Sequence, residues 1–333
     1  MALHFIGGRA AARLGVGAVA AAIAIATLVP VASAAGSGID WQAGAGTSSA
    51  DEAVQVNSFL PHTLTVDVGD TITWHLNSGE FHTVTFLSGE DAPPFITIGP
   101  NGPELNPAAV APSGGPTYDG TGIANSGLLV KGQQFSLGFT KAGTYPFLCL
   151  IHAGMAGTVH VQDAGSVYPQ AQAQYDTQSR VTGNRLLARG RTLSARTLAA
   201  ARASGPGEAA VGAGTSTGVD GSLAVMRFLP GKLVVHAGDS VTWTNKDPET
   251  PHTITFGEEP GGGPLGAFLP SGAAQPGHAT LTSPDEAANS GFVGAGLPFG
   301  TTFTATFVNP GSYHFICALH DDLGMTGTVV VLP

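Results

Sequence analysis

One short segment of the chain holds a thiol, an imidazole and a thioether within seven residues. These are Cys149, His152 and Met155, in the segment 143–157. A copper ion that alternates between its two oxidation states favours such a mixture, because it takes a soft thiolate, imidazole nitrogens and a weak sulfur ligand on the axis. One more imidazole is needed, and we expect it from His82, upstream in the chain. The segment therefore predicts a copper site.

The same pattern occurs a second time near the end of the chain. Segment 311–327 contains Cys317, His320 and Met325, and His252 is the matching upstream imidazole. Other motifs recur as well: Phe-Leu-Pro begins at Phe59 and again 169 residues later. Such a match indicates an internal duplication, with one copper site in each copy.

These two segments resemble the cupredoxins, the small blue copper electron carriers. The Cys-x2-His-x2-Met spacing of the first segment is similar to the amicyanin type, and the Cys-x2-His-x4-Met spacing of the second is similar to the plastocyanin type. The resemblance implies two type 1 copper ions as cofactors, with the last three ligands of each on the loop between the final two strands. The implied metal ligands are His82, Cys149, His152 and Met155 for one ion, and His252, Cys317, His320 and Met325 for the other.

Length and composition favour two all-β domains. A chain of 333 residues is long enough for two cores. Its 48 glycines, 23 prolines and only 11% charged residues are typical of many turns and short strands. Tyr145, Phe147 and Cys149 alternate with other residues, so they should share the buried face of one strand. We therefore predict an all-β fold with two Greek-key β-sandwich cupredoxin domains joined by a partly helical linker.

The predicted boundaries follow changes in composition. Residues 1–34 carry two arginines, an apolar run and a final Ala-Ser-Ala, which predicts a signal peptide; an uncleaved N-terminal membrane anchor is the alternative. Residues 35–52 are rich in Gly, Ser and Ala and are predicted to be a disordered tether. The first domain then covers 53–164, an Ala- and Arg-rich linker covers 165–217, and the second domain covers 218–333.

Charge is unevenly distributed along the chain. Residues 36–165 hold two lysines against eleven acidic residues, whereas residues 166–217 hold six arginines against two acidic residues. Acidic domains argue against nucleic acid as a partner. The linker is interpreted either as a solvated, partly helical spacer or as a segment whose arginines lie on the acidic domains or on an anionic envelope polymer.

Several details of the two sites are predicted as well. Thr83 and Thr253 follow the upstream histidines and are expected to hold the ligand loops by hydrogen bonds. The long excursions 88–123 and 257–287 share an Ala-Asn-Ser-Gly exit, which should be ordered. An inter-domain disulfide between Cys149 and Cys317 is not expected, because it would require both loops to meet face to face.

The predicted function is single-electron transfer between redox protein partners outside the cytoplasm, in the periplasm or on the outer face of the membrane. The chain contains no His-x-His pair, so the further coppers of a multicopper oxidase have no site, and we do not expect an enzyme. Two alternatives stay open: storage or delivery of copper in the envelope, and an accessory role in which one domain only docks. Small residues after His152 predict an open edge for electron entry, whereas Asp321 and Asp322 predict a lower potential for the second site, which would then feed the first.

Overall fold

The computed structural model describes residues 38–99, 102–152, 154–215, 221–257, 275–297 and 300–333. The predicted signal peptide or anchor lies outside these residues, as does most of the second excursion. Among the described helices, none is both long and apolar enough to cross a membrane.

The first half of the chain forms strands and one short helix. In chain order these are β1 (Asp40–Ser48), β2 (Val54–Leu60), β3 (Thr63–Asp67), β4 (Thr71–Leu76), β5 (Thr85–Phe86), β6 (Ile96–Gly99), β7 (Gly102–Leu105), α1 (Pro107–Val110), β8 (Thr117–Tyr118), β9 (Ala124–Asn125), β10 (Gln134–Phe139), β11 (Gly143–Leu148) and β12 (Ala156–Gln162).

A long helix, α2 (Gln172–Ser204), leads to the second half, which repeats the strand pattern. Its elements are β13 (Glu208–Thr215), β14 (Ser222–Leu229), β15 (Lys232–His236), β16 (Ser240–Lys246), β17 (Thr255–Phe256), β18 (His278–Leu281), β19 (Ala288–Asn289), β20 (Thr302–Phe307), β21 (Gly311–Ile316), a 3₁₀ helix (Asp321–Leu323) and β22 (Thr326–Leu332).

Each half is a two-layer β-sandwich. One layer of the first half is the sheet β3-β12-β11-β5-β9, and the corresponding layer of the second half is β15-β22-β21-β17-β19. The opposite layers of both halves belong to a single ten-stranded sheet in the order β18-β20-β16-β13-β14-β2-β1-β4-β10-β8. Each sandwich encloses a large aromatic core, in which Trp74 contacts Phe147 and Trp243 contacts Phe315 at ring-centroid distances of 5.4 and 5.1 Å. The predicted all-β class with two sandwiches and a helical linker is confirmed.

Two predicted boundaries are wrong. Residues 40–48, assigned to a disordered tether, form β1, which pairs with β2 and β4 and buries Trp41, Ala43 and Ala45. Residues 208–215, assigned to the linker, form β13, which pairs in the same way with β14 and β16. These strands consist largely of small residues, because the neighbouring layers lie close to them. A segment whose composition resembles that of a tether is therefore part of the core here.

The two sandwiches are joined by direct strand pairing. β14 lies antiparallel to β2, with Leu223 opposite Val56 and Val225 opposite Val54. Arg227 strengthens the junction, because its guanidinium donates to the carbonyl oxygens of Leu323 and Asp51, one in each half. The described residues of Gly36–Pro333 therefore form one compact unit, and the halves are not independent bodies on a spacer.

Helix α2 lies across the junction and contacts β1, β2, β13 and β14. It packs through Tyr175, Gly183, Leu186 and Gly190, which are its buried residues. A Cβ at Gly190 would overlap the side chain of Val54, so this glycine permits the close approach of helix and sheet. The arginines of the linker are exposed, and the helix is held by its small and apolar buried residues together with hydrogen bonds between Gln172 and Gln42 and from the amide of Thr65 to the hydroxyl of Tyr175.

Candidate metal centres

In each half, the cysteine follows the last residue of an aromatic strand. β11 buries Phe147 and half-buries Tyr145, and Cys149 lies directly after its end with 2% exposure. In the second half Tyr313, Phe315 and Cys317 are all buried. The predicted aromatic row is thus confirmed, and it places each thiol at the inner end of a rigid strand, away from water.

Three of the predicted ligands of the first site converge on one point. The Nδ1 atoms of His82 and His152 lie 3.1 Å apart, and the Sγ atom of Cys149 lies 3.8 and 3.7 Å from them. All three side chains are buried. His82 is held by an isolated bridge to Leu129, so a residue 67 positions from the cysteine is fixed beside it.

The second site has the same arrangement. The Nδ1 atoms of His252 and His320 lie 3.1 Å apart, and the Sγ atom of Cys317 lies 3.7 and 3.3 Å from them. These two groups are the clusters of three metal-binding side chains found among the described residues. Both cysteines are free, in agreement with the prediction that they form no bridge.

The methionines lie on the same loops and enter the same cores. Backbone hydrogen bonds close each loop: the amide of Cys149 donates to the carbonyl of Met155, and that of Cys317 donates to the carbonyl of Met325. Both methionine side chains are fully buried in the clusters that contain the cysteines. Their role as axial ligands remains a prediction from the sequence.

The two threonines hold the ligand loops as predicted. The Oγ1 atom of Thr83 accepts a hydrogen bond from the amide of Leu150 at 2.9 Å, and Thr253 accepts from Ala318 at 2.8 Å. Their own amides point at the thiol sulfurs, at 3.4 Å from Cys149 and 3.3 Å from Cys317. Each threonine therefore ties the strand of the upstream histidine to the cysteine loop and also stabilises negative charge on the sulfur.

The Ala-Asn-Ser-Gly exits are ordered, as expected. The hydroxyls of Ser126 and Ser290 accept hydrogen bonds from the amides of Val84 and Ile254, just after the upstream histidines. The exits also pair as β9 and β19 with β5 and β17. They brace the short strand that follows each upstream histidine.

A glycine bulge behind each site was not predicted from the sequence. Gly46 interrupts β1 with φ of +76°, and Gly212 interrupts β13 with φ of +64°. A Cβ at Gly46 would lie 2.5 Å from Nε2 of His82, and one at Gly212 would overlap the ring of His252. Gly-Ala-Gly-Thr occurs at both 44–47 and 212–215, but the bulge glycine is its third residue in the first half and its first residue in the second, so this repeat alone does not identify the bulges.

The upstream histidines differ on the side away from the cysteine. Nε2 of His82 lies 2.9 Å from the hydroxyl of Ser78, which fixes a tautomer with Nδ1 free to bind metal. Nε2 of His252 is buried and has no hydrogen-bond partner among the described residues. The first site is therefore the more firmly oriented of the two.

The charge state of the clusters follows from their burial and close contacts. Burial opposes ionisation of both thiols, but hydrogen bonds and charge from the neighbouring imidazoles hold the pKa of Cys149 and of Cys317 well below the usual value. Burial likewise opposes protonation of the downstream imidazoles, yet the adjacent thiolate and carboxylate raise the pKa of His152 to about 10 and of His320 to about 9. Both shifts favour a thiolate next to a protonated downstream imidazole in each cluster.

The predicted open edge of the first site is wrong. His152 is only 2% exposed and His320 only 5%. The amide of Gly154, two residues after His152, donates to the carboxylate of Glu249 in the second half. Between the rings lies Glu80, whose pKa is lowered to about 2 because the charges of His320 and His152 outweigh its burial. Strand pairing between the halves closes the face that was expected to meet solvent.

The arrangement of donor atoms fits a copper ion. Atoms bound to one first-row metal at about 2.0–2.3 Å lie about 3–4 Å from one another. The measured separations of 3.1–3.8 Å meet this condition at both sites. One thiolate and two imidazoles are also the donors of blue copper centres, and each cluster is closed to solvent.

Comparison with known proteins gives the same assignment. The family model for copper binding proteins of the plastocyanin/azurin family matches residues 47–162 and 215–332. The chain therefore belongs to this family and contains two copies of its domain. A chloroplastic plastocyanin of Tetradesmus obliquus is 34% identical over 31% of this chain and 57% of its own length. A plastocyanin of Solanum tuberosum is 32% identical over 34% of this chain and 93% of its own.

Some relatives extend well beyond the matched region. The chain spans 57% of the Tetradesmus obliquus protein and 53% of a minor plastocyanin isoform of Arabidopsis thaliana. Among solved structures, a variant of amicyanin in the Cu(I) state matches with 24% identity and a TM-score of 0.24, over 37% of this chain and 82% of that one.

Proposed function

We propose that the protein is an electron carrier with one type 1 copper in each half. The observation that supports this most directly is the pair of buried Cys-His-His clusters, each held by a threonine, a glycine bulge and an aromatic strand. Copper bound there would supply one-electron chemistry. The protein would supply a site that changes little with oxidation state, because every ligand is fixed by packing or backbone hydrogen bonds.

The proposed ligand sets include the methionines. They are His82, Cys149, His152 and Met155 in the first half, and His252, Cys317, His320 and Met325 in the second. Met155 and Met325 are fully buried, and their loops return them to the cysteine strand. The spacing between histidine and methionine differs by two residues between the sites, and the longer loop contains the 3₁₀ helix.

We propose no catalytic reaction for the protein. Its partners would be redox proteins that deliver and accept single electrons. We place it outside the cytoplasm, with attachment to the membrane or envelope through the N-terminal segment as one arrangement, because of the signal-like sequence of residues 1–34. The relatives named chloroplastic plastocyanin are in keeping with such a role.

The direction of electron flow stays a prediction. Asp321 and Asp322 next to His320 favour the more positive copper state at the second site and so a lower potential there. Glu80 does not discriminate between the sites, since it lies 3.6 Å from His152 and 3.4 Å from His320. Potentials of the two sites, assigned with single-site variants, test the prediction; a higher potential at the second site contradicts it.

Optical and electron paramagnetic resonance spectra after addition of Cu(II) test the proposal. Two coppers per chain should bind and give the intense thiolate-to-copper absorption of a blue site. The substitutions Cys149→Ser and Cys317→Ser should each remove one such site and leave the other intact.

Copper storage is the competing function, and it predicts a different result. A store releases its copper to a modest chelator, whereas a carrier with closed sites retains it. Binding of copper without the thiolate absorption would reject the proposed ligand sets and favour storage. Full electron-carrier activity with one site removed would instead favour the accessory role.

A further inference from the structure

A single carboxylate lies between the two metal centres. Glu80 is 6% exposed and stands two residues before the upstream histidine of the first site. Its Oε2 atom lies 3.6 Å from Nε2 of His152, and its Oε1 atom lies 3.4 Å from Nε2 of His320. Each oxygen thus faces an imidazole of a different half.

The two imidazoles meet Glu80 through the nitrogens that do not face the cysteines. In both rings Nδ1 points to the thiol, so Nε2 carries the ring proton when Nδ1 binds metal. A carboxylate shares its negative charge between both oxygens, so one group can face both rings. At 3.6 and 3.4 Å these are ion-pair contacts, through which the charge of Glu80 favours a proton on the facing Nε2 atom of one ligand in each site.

The same contact excludes other molecules from these edges. His152 and His320 are 2% and 5% exposed, and the two halves are held together there by strand pairing and by the Arg227 hydrogen bonds. Gly79, beside Glu80, packs so closely on Leu323 that a Cβ would lie 2.5 Å from it. An external redox protein cannot touch either imidazole edge in this arrangement.

We propose that Glu80 connects the two sites into an internal electron relay, which rests on the function proposed above. An electron that reaches one half passes to the other along His152, Glu80 and His320, without release to a partner between the two steps. One site loses one electron as the other gains one. The ring protons stay on Nε2, so no proton moves and the total charge of the pair is constant.

Glu80→Gln tests the relay with little change in shape. Glutamine offers one acceptor oxygen and one NH2 group, so it can accept from only one of the two rings and presents donors to the other. Glu249→Gln is the matched control. Its carboxylate lies at the same junction and acts on His152 through its charge, but it accepts from Gly154 and Ser222 and makes no ion-pair contact with Nε2 of either ring among the described residues. Glu80→Asp keeps the charge but moves the carboxylate oxygens away from both rings, because its side chain is shorter. It replaces Glu80→Gln as the test variant if the glutamine variant folds poorly.

The first measurement uses copper-free protein. Nitrogen-15 NMR of the imidazoles should show the Nε2 resonances of both His152 and His320 shifted in Glu80→Gln, whereas the Nε2 resonance of His320 should be unchanged in Glu249→Gln. Two results would contradict a contact of Glu80 with both histidines. One is that the Nε2 resonances do not shift in Glu80→Gln, and the other is that the resonance of only one histidine shifts in both Glu80 variants.

The second measurement follows electron exchange between the sites after a one-electron pulse to the copper-loaded protein. In the wild type, the rate of redistribution should not depend on protein concentration. It should fall about tenfold or more in Glu80→Gln, with blue absorption retained, and change much less in Glu249→Gln. A wild-type rate in Glu80→Gln, or exchange that scales with concentration, overturns the relay alone. Absence of blue absorption in the wild type refutes the proposed function and the relay with it.

Discussion

The substitution Gly46→Ala should disable the first metal centre from a position that binds no metal. Gly46 has φ of +76°, and a Cβ there would lie 2.5 Å from Nε2 of His82 and 2.6 Å from the hydroxyl of Ser78. No atom pair of this kind tolerates such distances, so the imidazole must move. Since His82 is fully buried, the ring has no free space into which it can retreat without disturbing the core.

Two terms contribute to the expected loss of stability. A non-glycine residue in the left-handed region costs about 1–2 kcal/mol, and overpacking of a filled core costs about 1–3 kcal/mol. Gly132→Ala isolates the first term, because Gly132 has φ of +87° and a Cβ there meets nothing within 4 Å. We therefore expect Gly46→Ala to be less stable than Gly132→Ala by about 1–3 kcal/mol.

Chemical denaturation of the copper-free proteins measures this difference, and copper per chain measures the consequence for the site. Gly46→Ala should weaken binding at the first site by about 10–100-fold, as for other displaced neighbours of a metal ligand, and leave the second site filled. Gly132→Ala should retain both coppers. Equal stability of the two variants, together with two tightly bound coppers in each, would refute the steric argument.

Three further substitutions test other parts of the structure. Ser78→Ala removes the partner of Nε2 in His82 and should lower copper affinity at the first site about 10–100-fold, measured by competition with a chelator, with no change at the second site. Thr83→Val leaves the amide of Leu150 without its acceptor and should cost about 1–3 kcal/mol in denaturation; a loss below the measurement error would argue against the tie between strand and loop. Gly190→Val should overlap β2 and lower the melting temperature, whereas unchanged melting would show that helix α2 does not pack there as described.

The ligand loops were predictable because their chemistry is local in the sequence. Cysteine, histidine and methionine lie within nine residues, and the duplication shows the pattern twice. His82 and His252 were also found from the repeat, since each occupies the corresponding place before a threonine. The supporting threonines could be predicted from the same alignment of the two copies, and their hydrogen bonds are present at both sites.

The contact between the halves was not predictable from these local patterns. It depends on the pairing of β2 with β14, which lie about 169 residues apart in the chain. Nothing in the sequence of either strand identifies the other as its partner. In the sequence, Glu80 consequently could not be distinguished from the other acidic residues, although it lies between the two sites. The first strand of each half was missed for a different reason: β1 and β13 lie inside the ten-stranded sheet, paired on both sides, but they are rich in Gly and Ala, which have low strand propensity on their own.

The pairing of β2 with β14 also has a symmetry. Gln55 lies opposite Ala224, and these two residues are 169 positions apart, so each is the other's counterpart in the duplication. The same strand edge of both copies meets itself, as in the isologous interface of a two-fold homodimer. The two halves are thus arranged like the subunits of a two-fold dimer, with α2 in the covalent connection between them. The two copies nevertheless differ, because Glu80 lies between the sites whereas its counterpart Glu249 accepts from Gly154 and Ser222. In a symmetric dimer of two identical chains, the two equivalent carboxylates would have the same environment.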